Sequence, residues 1–486
     1  MHWLERLAQF WPHLAAGFDL AACLLASGHA LLHKRDNRAA TIWIGIVWGL
    51  PALGPLLYLI FGVNRIRRHA LKLGIHKNYS RPVPEDLGEP EPVGAEHLKH
   101  IARVVNRVVA QPLTAGNRIE PLTNGDEAFP AMLTAIAGAR TSITLCSYIF
   151  DNDRSGRQFV AALAAAQARG VAVRVLVDAA GTRYSFPPIT WRLRRAGLPY
   201  ARFLPTSLLT PWRLATLNLR NHRKLLVVDG RQAFTGGMNL RHGNRLIPGA
   251  EPLAPLPARV QDLHFVVTGP VVGELQGTFA NDWAFTTGET LTGDTWFPPL
   301  TETGEVIARV VPDGPDADFE NARWTFLAAL AEAQHSVQII TPYFLPDTAL
   351  ISALNLAALR GVRVDIILPA KNNLPFVDWA SRALWWQVLE RGCRIWLTPP
   401  PFDHTKLMVV DGHWVALGSA NWDARSLRLN FELNLECYGR DFAHTMVTLV
   451  ERKLAVAREV TLAEADRRPG WQRLRDAAAR LFAPFL

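Results

Sequence analysis

The sequence predicts an α/β protein made of two duplicated domains with mixed, largely parallel sheets, preceded by an N-terminal transmembrane helical hairpin. Three observations lead to this prediction. Strand–helix–strand patterns recur at one internal spacing, the same polar motif ends each copy, and two long apolar runs stand near the N-terminus. Apolar residues form 49% and charged residues 20% of the 486 residues, which is typical of a folded chain and excludes a disordered one.

Residues 1–77 contain two candidate membrane helices, at 14–32 and 39–63. The second run has 25 residues without a charged side chain, which suffices to cross a hydrocarbon core of about 30 Å. It contains prolines, so we expect a kinked span or a re-entrant turn. The first run is the weaker candidate because it carries Asp19 and His29, which must face a partner or lie shallowly. The alternative is a buried helical hairpin in a soluble protein.

The charges around these runs predict an orientation. The loop between the runs has three basic residues, whereas five follow the second run: Arg65, Arg67, Arg68, Lys72 and Lys77. The positive-inside rule therefore places the large C-terminal part on the cytoplasmic side. The formal net charge of +9 suits a polyanionic partner, either nucleic acid or acidic lipid head groups, and composition does not choose between them.

The rest of the chain is an internal duplication. In both halves a β-branched run precedes a helical run that ends at a glycine, Gly170 or Gly361, and a second β-branched run follows. Glycine there suits a helix C-cap, and nearly continuous apolar runs suit strands covered on both faces. We divide this part into a Pro- and acid-rich linker with its lead-in, two α/β domains and an amphipathic tail, at residues 78–115, 116–310, 311–460 and 461–486.

Each half ends in the same cluster of polar and glycine residues. In the first half the cluster comprises Asn221, His222, Lys224, Asp229, Gly236, Gly237 and Asn239. In the second half it comprises His404, Lys406, Asp411, Gly418, Ser419 and Asn421. The two histidines are 182 residues apart, in keeping with the duplication.

The spacing within these clusters suits phosphoryl chemistry. A histidine and a lysine two positions apart on a strand share a face, and the glycines let a ligand approach the backbone. Two such units facing each other place imidazoles, ammonium groups and amides around one point, as a phosphodiester transition state requires. The lysines supply the positive charge, so we expect neither metal nor cofactor. A lone histidine on a strand is more often a core residue, but two complete copies favour catalysis.

These residues resemble the two HKD motifs of the phospholipase D superfamily. The run from Gly418 to Asn434 is similar to the corresponding stretch of bacterial cardiolipin synthases, and the likeness extends from about residue 39 to 455. The resemblance implies two phospholipase D-like domains in a bacterial cardiolipin synthase. Such an enzyme transfers a phosphatidyl group between two phosphatidylglycerol molecules through a phosphohistidine, giving cardiolipin and glycerol.

The resemblance also implies roles for the motif residues. By analogy His222 is the nucleophile and His404 the general acid and base, although the reverse assignment stays open. Lys224 and Lys406 would hold the phosphoryl oxygens. The neighbouring substrate-binding candidates are Asn239, Asn421, Ser419 and Gly237. Gly237 stands where the superfamily often has serine, which leaves the choice of acceptor alcohol open.

A nucleophilic imidazole needs an acceptor at its other nitrogen. We expect Glu432 to serve the second half and Asp262, in the run Val-Gln-Asp-Leu-His-Phe, to serve the first. The alternative is that Asp229 and Asp411 orient the histidines themselves. We favour a structural role for these two.

Three stretches with Trp and Arg are candidates for contact with lipid: 208–217, 377–386 and a helical stripe in the tail. The alternative for the second is ordinary helix packing, and the tail suits docking on protein or on membrane. Two other activities stay open, a membrane-bound phospholipase D that hydrolyses phospholipids and a superfamily nuclease. A nuclease does not explain the uncharged run, and two intact motifs argue against a scaffold that has lost its site.

The apolar runs and the flanking charges predict a multi-pass membrane protein with its catalytic domains on the cytoplasmic side, and the resemblance implies that this membrane is the bacterial inner membrane. The resemblance also implies an anionic phospholipid partner, phosphatidylglycerol, and no nucleic acid is expected. The sequence predicts no oligomeric state.

Overall fold

The computed structural model describes residues 2–34, 37–62, 96–205, 219–247, 258–315 and 318–483. These residues fall into two compact units, one formed by the N-terminal helices and the other by the described residues from 96 onwards. The predicted basic flank at 65–77, residues 78–95 of the linker and lead-in, and the stretch 208–217 lie outside the described residues.

The N-terminal unit consists of α1 (His2–His33), α2 (Asn37–Gly49), α3 (Leu53–Leu57) and a π-helical turn (Tyr58–Gly62). Among the described residues, Phe10–His33 is the one helical stretch long and apolar enough to cross a membrane. The expectation that 39–63 is the stronger span is therefore wrong. The break expected from its prolines is present, because the helix ends after Gly49, where Pro51 cannot donate a backbone hydrogen bond.

The polar residues of the first run have partners within this unit. The Asp19 carboxylate accepts a hydrogen bond from the Ala52 N–H over 2.6 Å, at the break that follows α2. His29 Nδ1 lies 2.8 Å from the Tyr58 hydroxyl. A charge in an apolar helix is thus matched to a backbone donor that the helix break leaves free.

The second unit is built on nineteen strands in the described chain. They are β1 (Thr114–Thr123), β2 (Ser142–Ser147), β3 (Ala172–Asp178), β4 (Tyr200–Phe203), β5 (Leu225–Val228), β6 (Gln232–Gly236), β7 (Val260–Gln261), β8 (Leu263–Thr268), β9 (Val306–Asp313), β10 (Ser336–Ile340), β11 (Phe344–Leu345), β12 (Arg363–Pro369), β13 (Arg394–Thr398), β14 (Phe402–Asp403), β15 (Leu407–Val410), β16 (Trp414–Gly418), β17 (Trp422–Asp423), β18 (Glu432–Tyr438) and β19 (Arg458–Val460).

Fifteen of these strands form one sheet, in the order β19-β13-β12-β10-β15-β16-β18-β9-β1-β8-β6-β5-β2-β3-β4. The order is nearly the same when read outwards from the β9–β1 junction in either direction, so the predicted duplication is confirmed. The two halves pair through β1 and β9, which are antiparallel. The predicted boundary at 310/311 falls inside β9, so the second half begins at this strand.

The sheet is mixed, as predicted, but "largely parallel" is wrong. Within this described sheet four pairings are parallel, β2–β3, β3–β4, β10–β12 and β12–β13, and the other ten are antiparallel. Helical crossovers connect only the parallel strands. The motif strands β5–β6 and β15–β16 are joined by tight turns, which force antiparallel pairing.

Helices cover both faces of the sheet. They are α4 (Lys99–Val108), α5 (Asn124–Gly138), α6 (Arg154–Ala168), α7 (Ile189–Arg195), α8 (Val272–Thr287), α9 (Asn321–Glu332), α10 (Thr348–Leu359), α11 (Pro375–Arg382), α12 (Trp385–Leu389), α13 (Ala424–Arg428), α14 (Arg440–Leu454), α15 (Leu462–Asp466) and α16 (Gly470–Arg480). The lead-in is thus partly helical, since α4 buries Ile101, Ala102 and Val105 in the core of the second half. Double coverage explains why β2 and β15 are buried at every position.

Candidate active site

The two HKD motifs are held together by backbone exchange between the halves. The His222 N–H donates to the Phe431 carbonyl oxygen over 2.8 Å, and the His404 N–H donates to the Gln261 carbonyl oxygen over 2.8 Å. The short parallel pair β14–β7 extends the second contact. The backbone of each motif is therefore held by a segment of the opposite half, Phe431 before β18 for the first motif and Gln261 before β8 for the second.

The side chain of each catalytic histidine likewise bonds to a carboxylate from the opposite half. His222 Nδ1 lies 2.9 Å from Glu432 Oε2, and His404 Nδ1 lies 2.8 Å from Asp262 Oδ2. Both predicted acceptors are present, but the expected pairing within each half is wrong. The backbone exchange is the reason, because it brings the start of β18 to the first motif and the start of β8 to the second. These bonds leave Nε2 of each ring as the nitrogen available for chemistry.

The two carboxylates have different surroundings. Glu432 also accepts hydrogen bonds from the Ser419 hydroxyl over 2.5 Å and from the Asn430 amide over 3.0 Å. At the corresponding position in the first half stands Gly237, where an added Cβ would lie 2.3 Å from Asp262 Oδ1. Gly237 has no hydroxyl to donate, and Asp262 packs into the space that a side chain would need.

These differences separate the pKa values of the two carboxylates. Burial alone would raise the pKa of Glu432, but His222, Lys224 and the Ser419 hydroxyl hold it below its ordinary value. Burial, together with the charge of Asp403, raises the pKa of Asp262 to about 7 against the opposing effect of Lys406. Near neutral pH Glu432 is therefore a firm anion, whereas Asp262 and its histidine share a proton.

Burial also governs the pKa values of the bases. Burial and the ammonium of Lys224 lower the pKa of His222 to about 4, although Glu432 opposes the shift. Burial, Lys406, Lys224 and the ring of His222 all lower the pKa of His404 well below its ordinary value. The crossed histidine–carboxylate bonds bring the two motifs together, which is why charges of the first motif act on His404.

The lysines are oriented identically in the two halves. Lys224 Nζ donates to the His222 carbonyl oxygen and Lys406 Nζ to the His404 carbonyl oxygen, each over 2.5 Å. Burial lowers the pKa of Lys224 to about 7 and that of Lys406 to about 8. Each has donor capacity left for an anionic ligand, whose charge would restore its proton.

Two tyrosines that the sequence interpretation missed lie against the histidines. The Tyr148 ring is 4.9 Å from the His222 ring, and the Tyr343 ring is 6.3 Å from the His404 ring, both edge to face. Lys224 Nζ also lies 5.4 Å from the Tyr148 ring. A signal was present, since both tyrosines occupy the same place in the repeat, just after β2 and β10.

Asp229 and Asp411 lie at the other end of the motif strands, away from the histidines. Asp229 accepts from the N–H groups of Arg140, Thr141 and Ser142 over 2.7–3.1 Å. Asp411 accepts from the N–H groups of Gln334, His335 and Ser336 in the same way. The histidines have other acceptors, so the structural interpretation of these aspartates holds and the alternative is wrong.

The two motif asparagines make dissimilar contacts. The Asn239 Oδ1 accepts from the Ile149 N–H over 3.1 Å, which fixes its amide. The Asn421 amide nitrogen contacts the Ser426 hydroxyl, and its buried Oδ1 has no protein partner. Asn239 therefore helps to hold the loop after β2, and Asn421 retains hydrogen-bonding capacity toward a ligand.

A second layer supports the first motif. Arg223 Nη1 pairs with Asp282 over 2.6 Å, and its Nε donates to the Glu432 carbonyl oxygen over 2.9 Å. Asp178 accepts from the Asn221 N–H over 2.8 Å. In the second half Lys453 pairs with Asp403 over 2.5 Å.

Among the described residues, no group of three or more His, Cys, Asp or Glu side chains is arranged to hold a metal ion.

Known proteins share this architecture. Residues 132–247 and 326–454 match the family model described as cardiolipin synthase, PLD-like domain, and residues 21–62 match the phospholipase D-nuclease N-terminal family. The phosphatidylserine synthase of Haemophilus influenzae Rd KW20 superposes with a TM-score of 0.63 at 14% identity, covering 79% of this chain and 100% of its own. The chain is a phospholipase D-like protein with two HKD half-sites.

Curated relatives define the family more closely. The chain is 33% identical to the major cardiolipin synthase ClsA of Bacillus subtilis, over 96% of this chain and 98% of that one. It is 34% identical to cardiolipin synthase A of Pseudomonas fluorescens SBW25, over 98% and 99% of the two chains. The chain belongs to the bacterial cardiolipin synthase family.

Proposed function

We propose that this protein is a cardiolipin synthase that transfers a phosphatidyl group from one phosphatidylglycerol to another. The observation that carries the proposal is the crossed pair of histidine–carboxylate bonds, which makes one site from two motifs. Full-length similarity to cardiolipin synthases supports the substrate class.

The first step forms the phosphohistidine. The ionised Glu432 holds the Nδ1 proton of His222, so the Nε2 lone pair attacks phosphorus. The bond from phosphorus to the glycerol oxygen breaks, and His404 Nε2 gives that oxygen a proton. Glycerol leaves, and Lys224 and Lys406 stabilise the charge on the non-bridging oxygens.

The second step reverses the proton transfer. The hydroxyl of an incoming phosphatidylglycerol gives its proton to His404, and its oxygen attacks the phosphorus. The bond between phosphorus and His222 breaks, which releases cardiolipin and restores the free imidazole. Water in place of this alcohol would give phosphatidic acid, so acceptor selection decides between synthase and hydrolase.

Three differences between the half-sites support His222 as the nucleophile. Ser419 and Asn430 donate to Glu432, whereas Gly237 and Val260 stand at the matching positions near Asp262. The charge of Asp403 also acts on Asp262.

The two histidine–carboxylate pairs also differ in how many protons they hold. Near neutral pH the His222–Glu432 pair holds fewer protons on average than the His404–Asp262 pair, because the pKa of Glu432 is lowered and that of Asp262 is raised. A base without its extra proton suits nucleophilic attack, and a pair that retains the proton suits general acid catalysis.

We further propose that the protein lies in the bacterial inner membrane with its catalytic unit facing the cytoplasm. The support is the apolar helix at Phe10–His33, the second, broken apolar segment, and the basic sequence that follows it. Crossing by both segments would make it a multi-pass protein.

The function is tested by incubating detergent-solubilised protein with phosphatidylglycerol labelled in its acyl chains and separating the lipids. We expect labelled cardiolipin and free glycerol in equal amounts. His222→Ala and His404→Ala should each abolish product without unfolding the protein. Phosphatidic acid as the sole product would assign a hydrolase instead, and cleavage of DNA without lipid turnover would assign a nuclease.

A further inference from the structure

The segment after β3 carries an exposed aromatic and basic surface. Here Phe186 is 97% exposed, and Tyr184 and Trp191 are about half exposed. We call these three residues the first rim. Arg194 and Arg195 lie on the same short helix as Trp191, and the Arg195 guanidinium lies 5.4 Å from the Trp191 ring. A bare phenylalanine beside several arginines is unusual on a soluble surface.

The duplication places a second such surface after β12. Leu374 and Phe376 are exposed there, and Phe376 contacts Phe482 with ring centroids 5.6 Å apart. Trp471 on the tail helix α16 is 63% exposed and lies under Arg475. We call Leu374, Phe376, Trp471 and Phe482 the second rim. The tail helix thus docks on α11 and still leaves apolar side chains uncovered.

Both rims lie beside the catalytic histidines. Tyr184 of the first rim contacts Tyr148, with ring centroids 6.3 Å apart, and Tyr148 covers His222. Next to the second rim, Asn373 accepts a hydrogen bond from the Tyr343 hydroxyl over 2.9 Å, and Tyr343 covers His404. The first rim follows the carboxyl end of β3, and Leu374 and Phe376 of the second rim follow that of β12, on the edge of the sheet where ligands bind in open α/β folds.

We propose that the two rims form a clamp that rests on an anionic phospholipid surface and delivers head groups to the site between them. The inference rests on the proposed function, since a phosphatidyl substrate reaches the histidines only from a lipid surface. Aromatic rings anchor at the head-group level, and arginines pair with lipid phosphates there. Charge complementarity favours anionic lipid over a second, equally basic copy of this chain, whose net charge is +9.

The clamp is tested in proteoliposomes of the full chain that contain phosphatidylglycerol and lipids with nitroxide-labelled acyl chains. The four cysteines are buried, so Phe186→Cys takes a fluorescent label selectively. The control is Leu359→Cys, equally apolar and 67% exposed, which ends α10 just before β12 and lies at the opposite edge of the sheet. We expect nitroxide lipids to remove most of the fluorescence at position 186 and little at 359.

Activity gives a second measurement that separates the clamp from the function. In Phe186→Asp and Phe376→Asp we expect cardiolipin formation from vesicles to fall about tenfold, because a charge opposes interfacial anchoring. Turnover of a short-chain phosphatidylglycerol below its micelle concentration should be unchanged. Equal quenching at positions 186 and 359 would overturn the clamp, and so would equal losses of activity on vesicles and on the short-chain lipid. The clamp would also be overturned if nitroxide lipids did not quench the label at 186 and its fluorescence changed with protein concentration instead, as expected if a second copy of the chain covers this surface. If the unsubstituted protein formed no cardiolipin from either substrate, the proposed function would be overturned instead.

Discussion

His222 Nδ1 and Glu432 Oε2 lie 2.9 Å apart, although 210 residues separate them and they belong to opposite halves of the duplication. The reciprocal pair, His404 and Asp262, is 142 residues apart. Neither half therefore holds a complete catalytic dyad, and a site forms only when both halves fold on one sheet. The exchange couples the chemistry to the fold.

Glu432→Gln should lower kcat by about 10³- to 10⁴-fold, because the amide no longer stabilises the imidazole tautomer that attacks phosphorus. The measurement is initial rate of cardiolipin formation together with thermal unfolding. The matched control is Glu436→Gln on the same strand, a buried carboxylate that pairs with Arg309. It should lower stability while leaving kcat per folded molecule nearly unchanged. Similar kinetic losses in both variants would contradict the assigned role.

Asp229→Asn should destabilise the fold by about 1–3 kcal/mol and leave kcat within a few-fold, because the aspartate accepts only from backbone and threonine donors at the start of β2. Asparagine tolerates the left-handed backbone at this position, where φ is 52°. Denaturant unfolding and the transfer assay check both effects. A loss of kcat as large as that of Glu432→Gln would revive a catalytic role for Asp229.

The same substitution makes a pH-dependent prediction. Burial would raise the pKa of Asp229, but the backbone N–H groups of Thr141, Ser142 and Arg140 more than offset this and hold it below its ordinary value. Its stabilisation is therefore complete above the unfolded-state pKa of about 4 and is lost as pH falls through the lower folded value. The stability gap between wild type and Asp229→Asn should be widest near neutral pH and shrink below about pH 4. If the difference in unfolding free energy between wild type and Asp229→Asn did not change with pH, the ionisation of Asp229 would not contribute to stability.

Ser419→Ala should lower kcat/KM and move its acidic limb to higher pH. Loss of the hydroxyl donor raises the pKa of Glu432, so the His222–Glu432 pair takes up its inactivating proton at higher pH. The control is Thr325→Val, which removes a buried hydroxyl within α9. Its pH profile should match that of the wild type. An unmoved limb in Ser419→Ala would mean that this hydrogen bond does not tune the nucleophile.

The buried lysines predict how anions bind. Since the pKa values of Lys224 and Lys406 are lowered to about 7 and 8, the empty site loses positive charge as pH rises through this range. Inhibition by sulfate, whose own charge is constant there, should weaken by up to about tenfold per pH unit for each lysine that deprotonates. Lys224→Arg, which stays charged, should flatten part of this dependence. Constant inhibition from pH 6 to 9 would show that both lysines remain protonated.

Much of this site was predictable from the sequence. The duplication, both HKD motifs, and Asp262 and Glu432 as acceptors follow from patterns that recur in the two halves. The crossed pairing does not, because it depends on contacts between Phe431 and His222 and between Gln261 and His404 that no local pattern encodes. Tyr148 and Tyr343 could have been found from their equivalent places in the repeat.

The errors in the fold have similar causes. Apolar periodicity identifies strands that are covered on both faces but does not give their direction, so a mainly antiparallel sheet looked largely parallel. The uncharged run at 39–63 satisfied the length rule for a span, but the helix breaks at Leu50–Ala52, and Asp19 binds the backbone there. Hydropathy measures composition and does not register such a break, whereas the prolines of this run did predict it.

The central claim is that His222 attacks phosphorus while His404 supplies the proton to the leaving group. The most direct test uses a phosphatidyl donor with p-nitrophenol as leaving group, which departs without general acid help. His404→Ala should release a burst of about one p-nitrophenol per chain and retain a phosphatidyl adduct that peptide mass spectrometry locates on His222. His222→Ala should show neither burst nor adduct. A burst in His222→Ala with the adduct on His404 would contradict the account.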